Sequence, residues 1–305
     1  MYNFENKKIV LPKSNSFKIS ETLECGQCFR FEKLGEEKYT VVAFGKLLLL
    51  EENSDGSVTI YGADENDYKN IWENYFDFVT DYDSMKEYLA EKDDILKNAI
   101  DYAPGIRILN QEFFECLISF IISQNNRIPM IKKVIKNISE KYGKFICEYE
   151  GEKYYAFPTP DELSVADEEG LMSCKTGFRA KYIIDAVSKV RSGEIDFDKL
   201  KDLSYDDVKK TLMTIKGVGP KVADCVTLFS CGKRSAFPVD VWVKRIMYHF
   251  YFNGEDVGVN EIHRIADEKF GEYAGFAQQY LFNYARQFQI GKWLLCRRGW
   301  PLRYF

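Results

Sequence analysis

Apolar and polar positions alternate along the first part of the chain, up to about residue 62. Alternation with a period of two residues is typical of half-buried β-strands, and short turn signals separate the runs. We therefore predict an antiparallel sheet built from the segments KIVLP, SFKISETL, QCFRFEKL, KYTVVAFG, KLLLLEE and SVTIYG.

From about Asp64 the apolar residues recur at helical spacing, and this spacing largely continues along the rest of the chain. The segment EFFECLISFIISQ is apolar on almost every side, which indicates a buried core helix. The two patterns together predict an α+β fold. We expect residues 1–98 to form an N-terminal antiparallel sheet domain with flanking helices, and residues 99–305 to form a mostly α-helical core.

A glycine-rich corner between two predicted helices lies at residues 204–231. Ser204 can cap the first helix, and Pro220 suits the first turn of the second because its missing N–H has no partner there. Gly217 and Gly219 bracket a tight reversal that other residues would enter at a steric cost. Unpaired N–H groups at a helix start suit a phosphate, so the hairpin is either a clamp for a DNA backbone or a packing corner.

Two charged residues near this corner are candidates for chemistry. Lys221 lies just inside the second helix, where the helix dipole disfavours a cation and so favours the neutral amine that a nucleophile needs. Asp240 comes nineteen residues later, in the segment 237–252, directly before another helical pattern. It is either an N-cap alone or a carboxylate that the cap also holds beside the lysine.

The segments GVGPKVADC and FPVDVWV resemble the helix-hairpin-helix DNA glycosylase superfamily. In that superfamily a lysine directly after the hairpin marks the bifunctional members, which also cleave the abasic site. Cys225 and the VDV around the aspartate are most similar to the 8-oxoguanine DNA glycosylases, and the resemblance runs from about Glu21 to Lys292. It implies that Lys221 is the nucleophile and that Asp240 stabilises the reacting sugar. The hairpin residues implied to hold the DNA backbone are Gly217, Val218 and Gly219.

The same resemblance implies a pocket for the damaged base. ETLECGQCFRFEK is similar to the segment by which these enzymes present a glycine carbonyl, here that of Gly26, to the extruded base. That carbonyl can accept the hydrogen that 8-oxoguanine carries on N7 and guanine lacks. Gln278 would read the Watson–Crick edge, while Phe282 and Cys225 would enclose the two faces of the base. Without the resemblance, Gly26 is an ordinary turn glycine and Phe282 a core residue.

The resemblance also assigns residues that contact the duplex around the lesion. Asn125 would fill the space that the flipped base leaves, and Phe178 and Arg179 would lie beside the estranged base. Trp242 stands where eukaryotic members have a histidine near a phosphate, and Met130 where the family has an arginine to the opposite cytosine. The loss of that donor predicts a relaxed preference for cytosine. On the residues alone, Asn125 or Asn126 could equally be the cap that starts the next helix, and Phe178 could be a core aromatic.

Composition restricts the possible partners. The net charge of −5 argues against a non-specific DNA coat, but it is compatible with an enzyme that holds a few phosphates through backbone amides. The chain begins without an apolar signal region, and no run approaches the length of a membrane span. We therefore expect a protein that does not bind membranes, located in the cytoplasm and associated with the nucleoid through DNA. We also expect a monomer.

The cysteines give little support to a metal site. Cys25 and Cys28 form a CxxC without a second pair, and the only histidines are His249 and His263, so a zinc site is not expected. Some glycosylases of the superfamily carry an iron–sulfur cluster on closely spaced C-terminal cysteines, but Cys296 stands alone. We expect no metal or organic cofactor.

The implied function is base excision repair. The enzyme would flip 8-oxoguanine out of duplex DNA, remove it, and cleave the abasic site by β-elimination through a Schiff base. Two alternatives are a glycosylase of the same superfamily for another damaged base, and a non-catalytic helix-hairpin-helix DNA-binding module. The four pocket residues argue against the first, and the joint presence of Lys221 and Asp240 argues against the second.

Overall fold

A computed structural model of the chain describes Phe4 and residues 7–290. Its N-terminal part contains a five-stranded antiparallel sheet with the strand order β1-β5-β4-β3-β2. The strands are β1 (Lys8–Leu11), β2 (Phe31–Lys33), β3 (Lys38–Ala43), β4 (Lys46–Glu52) and β5 (Val58–Tyr61). The predicted antiparallel sheet is therefore confirmed.

One of the segments expected as a strand, SFKISETL, is instead a helix, so that prediction is wrong. Helix α1 spans Ile19–Glu24 and buries Ile19, Thr22 and Leu23. Positions i, i+3 and i+4 share one face of a helix, and over so short a run this spacing is hard to tell from alternation. Helix α1 packs on the inner strand β4 and connects the sheet to the segment that carries Gly26.

The sheet has its own apolar core. Buried Leu48 and Leu50 of β4 pack with Tyr39 of β3 and with the fully buried Trp72 and Phe76. Trp72 ends the π-helical turn (Tyr68–Trp72), which lies between α2 (Glu65–Asp67) and α3 (Glu73–Tyr75), and Phe76 directly follows α3. The sheet thus rests on aromatic side chains that follow it directly in the chain.

Most of the remaining described chain is helical, as predicted. The longer helices are α4 (Tyr82–Lys92), α5 (Asp94–Tyr102), α6 (Phe113–Ser123), α7 (Ile128–Tyr142), α10 (Ala180–Arg191), α12 (Tyr205–Leu212), α13 (Pro220–Ser230), α14 (Val241–Phe250), α15 (Val259–Phe270) and α16 (Ala274–Phe288). The shorter ones are α8 (Pro160–Leu163), α9 (Glu168–Ser173) and α11 (Phe197–Asp202). Helix α6 is buried nearly all round, as its apolar sequence predicts.

A second antiparallel pair, β6 (Phe145–Tyr149) and β7 (Glu152–Tyr155), interrupts the helices and was not predicted. Its turn consists of Glu150 and Gly151, which both have positive φ, 51° and 80°. Two positive φ values in a two-residue loop match the right-handed twist of paired strands, and Gly at the second position is typical of such hairpins. The EG dipeptide between the aromatic runs was the available signal.

The large helical core joins α4 to α16 in one apolar cluster, which also includes Cys25 and Phe29 from the segment after α1. Helix α16 packs against α14 and α5. Three distant parts of the chain therefore meet around α16.

No helix among residues 7–290 has the length and apolar character that crossing a membrane requires. The domain boundary at residue 98 stays a prediction.

Candidate active site

Helices α12 and α13 form the predicted helix-hairpin-helix. The Ser204 side chain caps α12 by accepting a hydrogen bond from the Asp207 N–H at 3.2 Å. Gly217 has φ +77°, and a Cβ there would lie 2.3 Å from the ring of Tyr182, so a glycine is required on both counts. Gly219 is different: its φ is −94° and a Cβ would meet nothing within 4 Å. The expected steric need for glycine is therefore wrong at Gly219.

The hairpin leaves backbone donors available where α13 begins. The Val218 N–H is bonded to the Ile215 carbonyl at 3.0 Å, and the Val218 side chain is buried, so Val218 packs the corner. The N–H groups that donate to no described residue are those of Gly217, Gly219, Lys221 and Val222. Open space in front of Gly219 and this row of donors provide a surface that a phosphate can approach.

Lys221 is half-buried at the start of α13. Its Nζ lies 5.1 Å from the centre of the Phe120 ring, and that ring lies 5.8 Å from the ring of Phe29. Phe29 is three residues from Gly26 in the chain. The Phe120 ring therefore lies between the candidate nucleophile and Phe29, which follows the segment expected to read the damaged base.

Asp240 caps helix α14 and lies near Lys221. Its Oδ1 accepts hydrogen bonds from the N–H groups of Trp242 at 2.9 Å and Val243 at 2.8 Å. Burial raises the pKa of the Asp240 carboxyl, while the Val243 N–H and the Lys221 ammonium act to lower that pKa. Among the described residues, Asp240 makes no ion pair within 4.0 Å, and its Oδ2 accepts no hydrogen bond. The cap therefore fixes the carboxylate and leaves one oxygen for a substrate.

Gly26 and Phe282 meet although 256 positions separate them. Gly26 has φ +91°, and a Cβ on it would lie 3.0 Å from Cε1 of the Phe282 ring. Phe282 is half-buried on α16, so its ring packs against the main chain of the Gly26 turn. The structure thus brings together two of the four residues expected in the base pocket.

The other two pocket residues are buried. Gln278, one turn before Phe282, is 4% exposed, and its Oε1 has no hydrogen-bond partner within the described chain. Such an atom is costly to bury unless a ligand supplies the missing donor. Cys225 lies one turn after Lys221; burial raises the pKa of its thiol to about 11, although Lys221 acts to lower it. Cys225 is therefore a neutral thiol at physiological pH, suited to an apolar wall.

Two residues expected to enter or flank the duplex are exposed. Asn125 lies between α6 and α7 with φ +48°, and Arg127, not Asn125, is the N-cap residue of α7. Phe178 is 58% exposed, with its ring 5.9 Å from that of Tyr182 in an edge-to-face arrangement. The alternatives of a cap for Asn125 and a core position for Phe178 are therefore wrong. An exposed aromatic beside an exposed polar turn is suited to contact with bases.

Arg179 is buried and holds the turn that carries Asn125. Its Nε donates to the Gln124 carbonyl at 3.0 Å and its Nη2 to the Asn125 carbonyl at 3.1 Å. Its Nη1 donates to a third carbonyl, that of Thr176, at 3.3 Å. Arg179 thus supports the main chain at Asn125. Its contact with the estranged base stays a prediction.

Met130 and Trp242 are the two remaining residues that the resemblance assigns to the surroundings of the duplex. Met130, near the start of α7, is 42% exposed and presents a thioether that cannot donate a hydrogen bond. Trp242 is half-buried in the first turn of α14, with the Arg245 guanidinium 4.6 Å from its ring. The indole and the guanidinium stack beside the Asp240 cap.

Asp224 is a supporting residue that sequence reasoning missed. It is 1% exposed on α13, one residue before Cys225, and accepts hydrogen bonds from the Tyr205 hydroxyl at 2.7 Å and from Lys209 Nζ at 3.0 Å. His263 of α15 lies 3.7 Å from the same carboxylate. These contacts lock α12, α13 and α15 together behind Lys221. An acid in the middle of an apolar helix was the available signal.

The cysteines offer no metal site within the residues that the structure describes, where no group of three His, Cys, Asp or Glu side chains could hold an ion. Cys25 and Cys28 are both buried, and burial raises the pKa of Cys25 to about 11. Cys296, on which the expectation of no iron–sulfur cluster rests, lies outside the described residues.

Comparison with known proteins identifies the family to which the chain belongs. The family model for the N-terminal domain of 8-oxoguanine DNA glycosylases matches residues 8–117. The family model for the HhH-GPD superfamily base excision DNA repair proteins matches residues 118–272. The N-glycosylase/DNA lyase of Saccharomyces cerevisiae is 31% identical over 322 residues, covering 87% of this chain and 82% of that protein.

Two solved structures are similar over almost the whole chain. The Clostridium acetobutylicum 8-oxoguanine glycosylase/lyase, in complex with duplex DNA containing cytosine opposite 8-oxoG, is 45% identical with a TM-score of 0.89; the match covers 94% of this chain and 97% of that one. MBOgg1, in complex with a low-affinity DNA ligand, is 47% identical with a TM-score of 0.88, covering 93% and 96%.

The hairpin, the adjacent lysine and the capped aspartate therefore define a base excision DNA repair protein of the HhH-GPD superfamily. The N-terminal sheet domain matches the domain found in 8-oxoguanine DNA glycosylases, and the similar structures include such a glycosylase. The chain therefore belongs to the 8-oxoguanine DNA glycosylases of that superfamily. The family resemblance and the predicted α+β fold are both confirmed.

Proposed function

We propose that this chain is a bifunctional DNA glycosylase that removes 8-oxoguanine from duplex DNA and then cleaves the abasic site. The observation that carries the proposal is Asp240, whose cap leaves one carboxylate oxygen unpaired beside Lys221. A binding module without catalysis needs neither side chain. The donors at the start of α13 provide the anion site that brings a DNA strand to this pair.

The chemistry follows from the two side chains. The neutral amine of Lys221 attacks C1′ of the flipped nucleotide, and the C1′–N9 bond breaks with its electrons passing to the base, which takes up a proton. The Asp240 carboxylate stabilises the positive charge that develops on the sugar. The C1′–O4′ bond then breaks and O4′ takes up a proton from solvent. The lysine nitrogen, which has lost one of its two hydrogens to the departing base, forms a protonated Schiff base with C1′. Removal of a C2′ proton then expels the 3′ phosphate by β-elimination.

Specificity rests on the groups that the pocket leaves unpaired. The buried Oε1 of Gln278 can accept from the N1–H or N2–H donors on the Watson–Crick edge of a guanine-type base. The Phe282 ring offers a stacking face next to Gly26. A carbonyl at Gly26 satisfied by the N7–H of 8-oxoguanine would stay unpaired with guanine, and such a loss gives strong discrimination.

The proposal includes a relaxed preference for cytosine opposite the lesion. The exposed thioether of Met130 cannot donate to a base edge. Arg179 already donates to three main-chain carbonyls, so contact with the opposite base would cost it some of these bonds. A surface with few free donors for the estranged base supports tolerance of other bases there.

We also infer that one copy of the chain suffices and that it works inside the cell, in the cytoplasm, on nucleoid DNA. The support is that Lys221, Asp240 and the pocket residues all come from one chain. No organic cofactor or metal is needed by the chemistry described, because the lysine and the carboxylate supply the nucleophile and the charge stabilisation.

The test is release of the base. Purified protein is incubated with duplexes that contain either 8-oxoguanine or guanine opposite cytosine, and the free base is quantified by mass spectrometry. The proposal predicts release of 8-oxoguanine and not of guanine, with loss of release in Asp240→Asn. Equal binding of both duplexes without release of either base would contradict it and favour the binding module.

A further inference from the structure

Two side chains of α16 bind consecutive main-chain carbonyls at the end of α1. The Arg286 Nη2 donates to the Glu24 carbonyl, and the Gln279 Nε2 donates to the Cys25 carbonyl at 3.0 Å. The last carbonyls of a helix have no partner within it, and a cation there also suits the helix dipole. The two contacts fasten the residues directly before Gly26 to the helix that carries Phe282.

The residue after Gly26 is fixed from the other side. Gln27 is fully buried, and its Nε2 donates to the carbonyls of Thr22 at 2.8 Å and Arg107 at 2.7 Å. Its Oε1 accepts from the Leu109 N–H at 2.8 Å, and its own carbonyl accepts from Gln111 Nε2 at 2.8 Å. The turn is therefore held at both ends by side chains from distant elements.

The carbonyl of Gly26 is the exception in this turn. The carbonyls of Glu24, Cys25 and Gln27 each accept a side-chain hydrogen bond, whereas no described residue donates to that of Gly26. Gly26 is half-buried, so its carbonyl stays open to a ligand. A single unpaired acceptor among paired neighbours, next to the Phe282 ring, is arranged to receive a donor from a ligand.

Arg286 also borders the pocket directly. Its guanidinium carbon lies 5.4 Å from the centre of the Phe282 ring, and its Nη1 would lie 3.0 Å from a Cβ on Gly26. One guanidinium thus donates to the main chain before Gly26, fills the space beside Gly26 and lies near the Phe282 ring. Loss of the side chain removes contacts on both walls of this corner at once.

We infer that Arg286 and Gln279 are positioning residues that set the Gly26 carbonyl for the N7–H of the oxidised purine. Neither side chain takes part in bond making. Their contribution is to hold the carbonyls of Glu24 and Cys25 so that the next carbonyl stays fixed and unpaired. The inference rests on the proposed function, because it names what determines the choice of base in that same site.

The test separates removal of the base from cleavage of an abasic site. Arg286→Met and Gln279→Met remove the donors at similar volume, and Arg286→Lys keeps a cation that can still reach a carbonyl. The control is Arg264→Met, which removes an exposed arginine of α15 that pairs with Glu261 and Glu268. Single-turnover rates are measured on an 8-oxoguanine duplex and on a preformed abasic duplex, with melting temperatures recorded alongside.

Loss of a charged hydrogen bond should slow base removal by about 10-fold in Arg286→Met. The abasic site carries no base, so its cleavage by Lys221 should stay at the wild-type rate, and Arg286→Lys should recover part of the loss. Base removal at the wild-type rate, or an equal loss on both substrates, would overturn the positioning role. Wild-type protein that cleaves abasic DNA but releases no 8-oxoguanine would instead refute the proposed function itself.

Discussion

The main chain of Gly26 lies against the ring of Phe282, so close that a Cβ on Gly26 would stand 3.0 Å from the ring. The φ of +91° at Gly26 adds a second reason for glycine, because L side chains rarely adopt it. This contact joins the start of the chain to its last described helix. It makes the base pocket depend on residues that are distant in sequence.

Gly26→Ala should therefore impair base removal. A methyl group at this position meets the Phe282 ring, and the left-handed backbone adds strain of about 1–3 kcal/mol. We expect 8-oxoguanine release to fall by at least about 10-fold, while cleavage of a preformed abasic site is retained. Gly35→Ala is the matched control, since a Cβ at Gly35 meets nothing within 4 Å. Unchanged release in Gly26→Ala would show that the contact is not part of the pocket.

Asp240→Asn should separate catalysis from stability. Asparagine caps a helix as well as aspartate, so the bonds to Trp242 and Val243 persist. Burial raises the pKa of Asp240, so the ionised carboxyl costs folding energy that the amide does not. We expect base release to fall by at least about 100-fold with no decrease in melting temperature. A large drop in melting temperature would assign Asp240 a mainly structural role.

The raised pKa of Asp240 also predicts the acid limb of the pH profile. Catalysis needs the ionised carboxylate, so the rate falls as pH decreases through the folded-state pKa, which lies above the ordinary value of 3.8. The rate of single-turnover base release, measured from about pH 4 to about pH 8, gives the midpoint of this acid limb. The same limb should be missing from the residual activity of Asp240→Asn; a limb shared by both proteins would have to come from another group.

Lys209→Met should destabilise the helix-hairpin-helix. The substitution leaves the buried Asp224 carboxylate without its cation, and breaking a buried pair typically costs about 3–5 kcal/mol. The neighbouring Lys210→Met is the control, because Lys210 and its partner Asp207 are both exposed and their pair contributes little. Thermal unfolding of the three proteins measures the difference. Equal melting temperatures for the two variants would mean that Asp224 is solvated or protonated.

Met130→Arg should sharpen the preference for cytosine opposite the lesion. A guanidinium at this exposed position of α7 restores a base-edge donor, and one good bidentate contact gives about 1–3 kcal/mol of discrimination. Base release is compared for 8-oxoguanine opposite cytosine and opposite adenine. Met172→Arg, on the exposed side of α9, controls for added charge. An unchanged ratio in Met130→Arg would remove Met130 from the set that determines opposite-base preference.

Local pattern predicted the parts of this molecule whose cause is local. The Ser204 cap, the Gly217 reversal, the proline start of α13 and the Asp240 cap are each formed within a few residues. The failures at α1 and at β6–β7 share a reason. Both segments are short, so few apolar positions were available to distinguish one period from another, and packing decided the outcome.

The pocket could be assembled from sequence only through the family resemblance. Nothing local relates Gly26 to Phe282, because their contact depends on how α16 packs against the end of α1. The hydrogen bonds of Gln279 and Arg286 were out of reach for another reason. Their acceptors are main-chain carbonyls, which carry no sequence signal, and the carbonyl that stays unpaired is defined only by the fold.

The measurement that tests the central claim most directly is covalent trapping at Lys221. Protein is incubated with a labelled 8-oxoguanine duplex in the presence of borohydride, which reduces a Schiff base to a stable amine. We predict a cross-linked complex whose modified peptide carries the DNA remnant on Lys221, and none with a guanine duplex or with Lys221→Gln. Release of 8-oxoguanine without any cross-link, or a cross-link that persists in Lys221→Gln, would contradict the assignment of Lys221 as the nucleophile.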